Sequence, residues 1–263
     1  MNSIPTNLNN SLDNLSDIVD LPLTLPLTHL SIARWFKSIV ADGELRPRLC
    51  SVFNENLTYL FYGGVFYRPS NILTRNAMEC PVAFVFTPLL LEKIFRLFPF
   101  DTGALQKGLF GNWSKHLLPY EKFEIRGSGD YKIASKLVHY IFGENELYLK
   151  GYPRTECKNH PDPFPLLFDF YSEDLTASGV DQRQCTIECQ GNTEIPFKGN
   201  LLWIGFPESM TDDFAKLQRL MEPEIPLFYP YSSHAVFNPI EIAAKLEEVA
   251  RIQVIERFLR RIS

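Results

Sequence analysis

The chain has 263 residues, of which 45% are hydrophobic and 13% aromatic, so it can bury a sizeable core as one large domain or two small ones. Its formal net charge of −5, from 26 basic and 31 acidic residues, argues against nucleic-acid binding through bulk positive charge. The five cysteines are scattered without a CxxC pair, which disfavours a zinc ribbon and predicts reduced thiols in a cytoplasmic protein. No signal-peptide pattern and no apolar run of about 18 residues occurs, so we expect no membrane association.

The first part of the chain, residues 1–22, is rich in Asn, Ser, Leu and Asp. This composition, with a weak helical pattern around Leu12 and Leu15, predicts a flexible arm or a short docking helix. We expect the folded structure to begin near Leu23 and to form a single α+β domain over residues 23–263, because strands and helices are mixed along the chain.

The predicted elements begin with a strand from Leu25 to Leu30, a helix from Ser31 to Val40 with Ser31 as its N-cap, and a turn at Asp42-Gly43. The later elements are, in chain order, strands at 57–62 and 81–87, helices at 89–100 and 130–143, strands at 166–171, 184–190 and 200–207, a helix at 211–221, a strand at 224–231 and a helix at 239–261. Pro239 suits the first turn of the last helix. Its apolar stripe predicts that it packs against a sheet through Leu246, Val249, Ile252 and Leu259.

His29 is a polar residue at the junction of the first predicted strand and helix. A hydrogen-bonding side chain that is held beside a helix N-terminus suits an anion or a sugar hydroxyl. The alternative is a histidine that merely ends a strand. Taken alone, the position favours this alternative, because pockets are few in any protein.

Two further segments follow His29 in an informative order. The first is YLFYGGVFY, which contains Tyr62 and Tyr67, and the second is DQRQCTIECQ, which contains Glu188. Together with HLSIARWFKSIVADGEL, this His–Tyr–Glu order resembles the ADP-ribosyltransferase superfamily, and in particular DNA-modifying toxins of the DarT type. The resemblance spans roughly residues 27–207. The chain departs from the Gln-x-Glu pattern of some toxins, because here the order is reversed and Glu188 lies two residues before Gln190.

The resemblance implies a strongly bent two-sheet fold with flanking helices, and NAD as co-substrate without a metal ion. It implies that His29 and the hydroxyl residue Ser31 hold the ribose beside nicotinamide, and that Tyr62 or Tyr67 stacks on nicotinamide. It also implies that Glu188 is catalytic, because a fixed carboxylate stabilises the oxocarbenium-like centre that forms as nicotinamide leaves. Arg183 is a candidate for bidentate pairing with the pyrophosphate.

The function implied is transfer of ADP-ribose to a macromolecule, either nucleic acid or protein, or hydrolysis of NAD. Such an activity suits a toxin or phage-defence effector with a regulatory partner. Two other functions stay open: a non-catalytic nucleotide- or protein-binding sensor module on the same fold, and a purely structural protein. If either of these two functions is correct, Glu188 lies on the solvated face of an edge strand, and Tyr62 is a core residue. The sequence has no Gly-x-Ser-x-Gly, P-loop or GxGxxG motif.

Overall fold

The structure is a computed structural model that describes residues 7–13, 15, 20–64, 72–126, 130–172 and 185–257. The strands are β1 (Leu27–Ile32), β2 (Glu44–Leu45), β3 (Arg48–Cys50), β4 (Glu55–Tyr62), β5 (Pro81–Phe86), β6 (Arg96–Phe98), β7 (Ile125–Arg126), β8 (Glu188–Gly191), β9 (Ile195–Pro196), β10 (Leu201–Pro207) and β11 (Leu227–Tyr231). The α-helices are α1 (Leu8–Asp13), α2 (Ala33–Asp42), α3 (Thr102–Gln106), α4 (Trp113–His116), α5 (Ile133–Phe142), α6 (Asn145–Lys150), α7 (Phe164–Ser172), α8 (Thr211–Met221) and α9 (Pro239–Ala250).

The chain divides into two compact units, each built from separate stretches of sequence. The first comprises Met1–Thr24, Ser51–Asn54 and Leu91–Gln190, and the second comprises Leu25–Cys50, Glu55–Leu90 and Gly191–Ser263. The expectation of one domain over residues 23–263 stays a prediction.

In the first unit, helices and a short antiparallel ladder surround an aromatic core. Strand β6 of this ladder pairs with both β7 and β8. The ring of Phe100 lies at the centre of this core, with its centroid 5.3 to 6.4 Å from those of Phe110, Phe123 and Phe170. Large aromatic side chains provide most of the burial in such a core, because each removes a large apolar area from water.

The N-terminal segment contributes to this unit through α1. Leu8 and Leu12 are buried, and the backbone N–H of Arg126 donates to Asn9 Oδ1 at 3.0 Å. Residues Leu8–Asp13 are therefore packed within the first unit, whereas the prediction of an arm over residues 1–22 stays a prediction.

The second unit is built on a mixed sheet with the strand order β11-β10-β5-β1-β4-β3. The β10–β11 pair is parallel and the other pairs are antiparallel, and β2 pairs separately with β9. The central strand β5 is buried at every position from Pro81 to Phe86. The protein is thus a mixed α and β protein with a mixed sheet, which confirms the fold prediction at this level.

The C-terminal helix lies on the sheet of the second unit, where Leu246 is buried. A Cβ on Gly205 of β10 would lie 2.6 Å from Leu246 Cδ2 and 2.5 Å from Trp203, so only glycine allows this close approach. The predicted stripe is only partly correct, because Ile252 is 49% exposed and Leu259 lies outside the described residues. A π-helical segment over Arg251–Ile255 turns the face of the helix, so that Val254 is buried instead.

Two predicted elements and one predicted helix cap are wrong. Residues 89–100 form a 3₁₀ segment at Pro88–Lys93 followed by the buried strand β6, and residues 166–171 belong to α7 rather than to a strand. Both are short and mostly apolar, so their periodicity does not distinguish a buried strand from a buried helix. Ser31 is not an N-cap, because β1 continues to Ile32 and α2 begins at Ala33 without a side-chain cap.

Candidate functional site

His29 and Ser31 lie two residues apart on β1 and line one cavity of about 300 Å³. Side chains at i and i+2 of a strand point to the same face, which explains why the extension of β1 past His29 keeps the two together. Both are half-buried. All of the lining residues belong to the second unit. Those with polar or aromatic side chains are His29, Ser31, Trp35, Arg46, Arg48 and Tyr59.

The tautomer of His29 follows from its partner in β4. Its Nδ1 lies 2.8 Å from the backbone oxygen of Tyr59. Because a carbonyl oxygen only accepts, Nδ1 carries the proton and the neutral ring keeps Nε2 as an acceptor. Burial lowers the pKa of His29 and the positive charge of Arg48 lowers it further, whereas the hydrogen bond to Tyr59 raises it. The ring is therefore neutral at physiological pH, with one acceptor nitrogen.

Arg46 and Arg48 supply positive charge to the cavity, but they differ in their partners. Arg46 pairs with Glu44 at 2.9 Å and with Asp42 at 3.5 Å, so its charge is largely compensated. Arg48 forms no ion pair with any described residue, and its guanidinium carbon lies 4.6 Å from the ring centroid of Trp35. An exposed cation held on an aromatic face is well placed to bind an anion.

Two tyrosines of β4 have different surroundings. The Tyr59 hydroxyl donates to the sulfur of Cys50 at 2.7 Å, and this residue lines the cavity. Tyr62 is fully buried, its hydroxyl accepts from the backbone N–H of Leu25 at 2.9 Å, and it is not among the lining residues. Tyr67 and Arg183, the other candidates for nicotinamide and pyrophosphate, lie outside the described residues.

Glu188 is a fully buried carboxyl group at the start of β8 in the first unit. Its two oxygens accept hydrogen bonds from the backbone N–H of Thr102 at 2.8 Å, from the Thr102 hydroxyl at 2.7 Å and from the Gln190 amide. Burial and the nearby charge of Asp101 raise the pKa of Glu188 to about 8, although these hydrogen bonds oppose the shift. The expectation that Glu188 lies on a solvated face is therefore wrong.

The sequence interpretation identified His29 and Ser31, which share the cavity, and the segment that begins with Tyr59, but it did not identify Trp35, Arg46 or Arg48. A signal was present, because Arg46-Pro47-Arg48 follows the turn after α2 and places two cations near the end of that helix. The catalytic role of Glu188 stays a prediction, as do the cofactor-binding roles of Tyr62, Tyr67 and Arg183.

The part of the chain that the structure describes contains no cluster of three or more His, Cys, Asp or Glu side chains arranged for a metal ion. None of its helices combines the length and the apolar character that a membrane span requires. Comparison of the chain with protein families, with curated proteins and with solved structures finds no match.

Proposed function

We propose that this protein binds NAD at the cavity around His29 and cleaves it in the manner of an ADP-ribosyltransferase-like enzyme with a bent two-sheet fold. The observation that carries the proposal is the presence in one cavity of a neutral histidine, a serine hydroxyl and an arginine without an acidic partner among the described residues. These groups match a ribose hydroxyl and a phosphate, the two polar features that any NAD site must recognise.

Each lining group has a distinct part in the proposed binding. The Nε2 acceptor of His29 and the hydroxyl of Ser31 bind ribose hydroxyls, because the bond from Nδ1 to Tyr59 leaves Nε2 as an acceptor and a hydroxyl can both donate and accept. Arg48 binds a phosphate oxygen through its planar guanidinium. The rings of Trp35 and Tyr59 offer apolar faces for a planar base. A cavity of about 300 Å³ is at the small end of ligand sites and suits one nucleotide half of NAD.

The charge for cleavage is assigned to Glu188 by the resemblance alone, since Glu188 is a buried residue of the first unit and is not among the residues that line the cavity. Loss of nicotinamide leaves an oxocarbenium-like centre, which an ionised carboxylate stabilises. The raised pKa of about 8 means that the ionised form grows as pH rises through this value. Cleavage is then faster at pH 8.5 than at pH 6.5. The acceptor in the proposal is a macromolecule in the cytoplasm, and the activity suits a toxin or a phage-defence effector that a partner restrains.

The second candidate function is a nucleotide-binding module without cleavage. The burial of Glu188 and its raised pKa favour this candidate, because at neutral pH most of the carboxyl group is uncharged. Both candidates use the same cavity, so they predict the same binding and differ only in turnover.

The test begins with binding of NAD by isothermal titration calorimetry. We expect Arg48→Ala to weaken binding about 10- to 100-fold, because a hydrogen bond to a charged group contributes about 1.5–3 kcal/mol. Arg251→Ala is the matched control, since Arg251 is an exposed arginine of the second unit paired with Glu256. Equal affinity of wild type and Arg48→Ala excludes this cavity as the NAD site.

Turnover is then measured with NAD labelled in its adenylate phosphate, incubated with the protein and a cell extract. Label that becomes sensitive to nuclease identifies a nucleic-acid acceptor, and label that becomes sensitive to protease identifies a protein acceptor. Free ADP-ribose indicates hydrolysis. Binding without any release of nicotinamide supports the non-catalytic module.

A further inference from the structure

The end of helix α5 in the first unit brings together three side chains that carry or can gain positive charge. His139 lies in the last turn of α5, and Arg154 and His160 flank a 3₁₀ segment over Thr155–Asn159 that contacts the helix. The backbone N–H of Arg154 donates to the carbonyl oxygen of Ile141 at 2.9 Å, which fixes the start of this segment against α5. All three side chains are half-buried.

The two imidazoles of this cluster contact the same tyrosine ring. The ring centroid of Tyr140 lies 5.4 Å from that of His139 and 5.0 Å from that of His160, and both contacts are edge-on. The ring of His160 also lies 5.4 Å from that of Phe164 in α7. Tyr140 and Phe164 are buried, so these contacts restrict the orientation of both imidazoles.

The side chain of Arg154 lies over the glycine that ends α5. A Cβ on Gly143 would lie 3.3 Å from Arg154 Cδ and 3.7 Å from Nη1, so a residue without a side chain makes room for the arginine. The C-terminus of a helix carries partial negative charge, which attracts a cation. The carbonyl oxygens of Val138 and His139 in the last turn already accept from the backbone N–H of Gly143. The helix end therefore favours a cation here, but a backbone N–H already uses these carbonyl oxygens.

The hydrogen-bonding capacity of the cluster is unused within the part of the chain that the structure describes. Arg154 Nε and His160 Nε2 are buried atoms without a partner there, and no described carboxylate forms an ion pair with Arg154. Most buried polar groups in proteins are hydrogen-bonded, because burial removes their bonds to water. A guanidinium presents its N–H groups in a planar fork, and a neutral imidazole presents one donor and one acceptor. The cluster thus offers donors for which the described residues supply no acceptor.

The charged groups around the cluster pair with one another. Lys150 of α6 pairs with Glu146 at 2.6 Å, and Lys158 of the 3₁₀ segment pairs with Asp169 of α7 at 3.2 Å. Burial raises the pKa of the Cys157 thiol to about 12, so this group stays neutral. None of these groups neutralises the positive charge at the end of α5.

Electrostatic effects within the cluster agree with this arrangement. Burial lowers the pKa of His139, and the positive charges of Arg154 and His160 lower it further. Burial and the charge of Arg154 likewise lower the pKa of His160. Glu144 and Glu156 are exposed and are not among the causes of either shift. Both imidazoles are therefore neutral at pH 7, and an anion beside them would favour their protonated forms.

We propose that His139, Arg154 and His160 form a binding site for a phosphate group. The fork of Arg154 donates to two phosphate oxygens, and the imidazole N–H groups donate to the others. A carboxylate has only two oxygens in one plane, whereas the tetrahedral oxygens of phosphate match donors that come from three side chains. The site lies wholly in the first unit and does not depend on the proposed binding of NAD.

The test follows the histidine rings by NMR of ¹⁵N-labelled protein, titrated with pH in sodium phosphate and in sodium chloride of equal ionic strength. The signals of His139 and His160 are those that disappear in His139→Gln and His160→Gln. We expect phosphate to raise both titration midpoints by about one pH unit, the effect of an opposite charge at hydrogen-bond distance. His116 and His234 are exposed and serve as internal controls. Equal shifts of all four midpoints, or no shift at His139 and His160, overturn the proposal.

The variant Arg154→Met tests the guanidinium. Methionine keeps an unbranched side chain over Gly143 and removes the charge, so we expect phosphate affinity, read from the same two signals, to fall about tenfold or more. Arg126→Met is the matched control, since Arg126 is an exposed arginine of the same unit that pairs with Glu124. Unchanged affinity in Arg154→Met shows that this arginine only caps the helix, and overturns the site. If the variant does not fold, the wild-type titration still decides.

Two further anions identify the class of ligand. Acetate offers a carboxylate at the same ionic strength, and an effect of acetate equal to that of phosphate overturns the assignment to phosphate. Adenosine 5′-monophosphate offers a phosphate on a larger molecule. A lower dissociation constant for this nucleotide than for inorganic phosphate, read from His139 and His160 alone, supports a site for a phosphate group carried by a larger ligand. An equal dissociation constant supports a site for the free ion.

Discussion

The imidazole Nδ1 of His29 donates to the backbone oxygen of Tyr59 at 2.8 Å, and this bond between β1 and β4 leaves Nε2 as an acceptor. The proposed site depends on this division of roles between the two nitrogens.

The division can be tested by His29→Asn. The Asn amide nitrogen occupies about the place of Nδ1, so we expect the bond to Tyr59 and the melting temperature to be retained. The acceptor at Nε2 is lost, and we expect NAD affinity to fall about tenfold, the effect of one hydrogen bond of about 1 kcal/mol or slightly more. His29→Gln, which places its amide near Nε2, is the comparison variant. We expect it to lower the melting temperature and to leave the affinity for NAD largely unchanged. Unchanged affinity in His29→Asn rejects a ligand role for Nε2.

Glu188 predicts a pH dependence of stability with a defined sign. Its pKa in the folded protein, about 8, is above the ordinary value of 4.5, so the folded state holds its proton more tightly than the unfolded state. The stabilising effect is complete below about pH 4.5 and is lost as pH rises through 8. We expect Glu188→Gln, which cannot ionise, to lose less stability than wild type as pH rises from 5 to 9.

The measurement is the free energy of unfolding by denaturant between pH 5 and pH 9 in both proteins. We expect NAD turnover of Glu188→Gln to fall by about 10²–10³, as for loss of other electrostatic partners of a transition state. A variant with full turnover excludes Glu188 as the catalytic carboxylate, and equal pH slopes contradict the raised pKa.

His139 and His160 predict destabilisation in acid. Their rings contact Tyr140 edge-on, with centroids 5.4 and 5.0 Å away. Burial and then the charge of Arg154 lower the pKa of both from 6.5, so each contributes stability above that pH that is lost as pH falls through the folded pKa. We expect the double variant His139→Gln/His160→Gln to lose less stability than wild type between pH 7.5 and pH 5. His234→Gln, at an exposed position, controls for removal of an imidazole.

The docked N-terminal helix predicts that residues 1–13 matter for stability. Leu8 is fully buried, so we expect Leu8→Ala to cost about 2–5 kcal/mol of unfolding free energy. Asn9→Ala, which removes the acceptor of the Arg126 N–H, should cost about 1 kcal/mol. Thermal melts of both variants and of a chain without residues 1–13 test this. An unchanged melting temperature in all three shows that α1 does not stabilise the first unit.

The contact of Gly205 with α9 predicts a steric effect. A Cβ at this position would meet Trp203 and Leu246 at 2.5 and 2.6 Å, so we expect Gly205→Ala to cost about 1–3 kcal/mol. Adding Leu246→Ala relieves one of the two clashes, so the double variant should be less destabilised than the sum of the single ones. Additive effects, measured by denaturant unfolding, would contradict the contact.

The sequence alone predicted those elements whose pattern allows one interpretation. The amphipathic spacing of α5 and α8, the apolar strands β5 and β10, and the position of Pro239 at the start of α9 depend on local periodicity and local backbone chemistry. The sequence named His29 and Ser31 as candidate ligands but ended the strand at Leu30, so their position on one face depends on the extension of β1 to Ile32.

Tertiary structure decided what depends on neighbours distant in sequence. The runs at 89–100 and 166–171 are mostly apolar, and only their packing determines which is strand and which is helix. The burial of Glu188 follows from its place opposite Phe98 on β6, and the cavity gains Tyr59 because β4 bonds to His29. The charge state and exposure of a side chain depend on what surrounds it, and the chain fixes those surroundings only on folding.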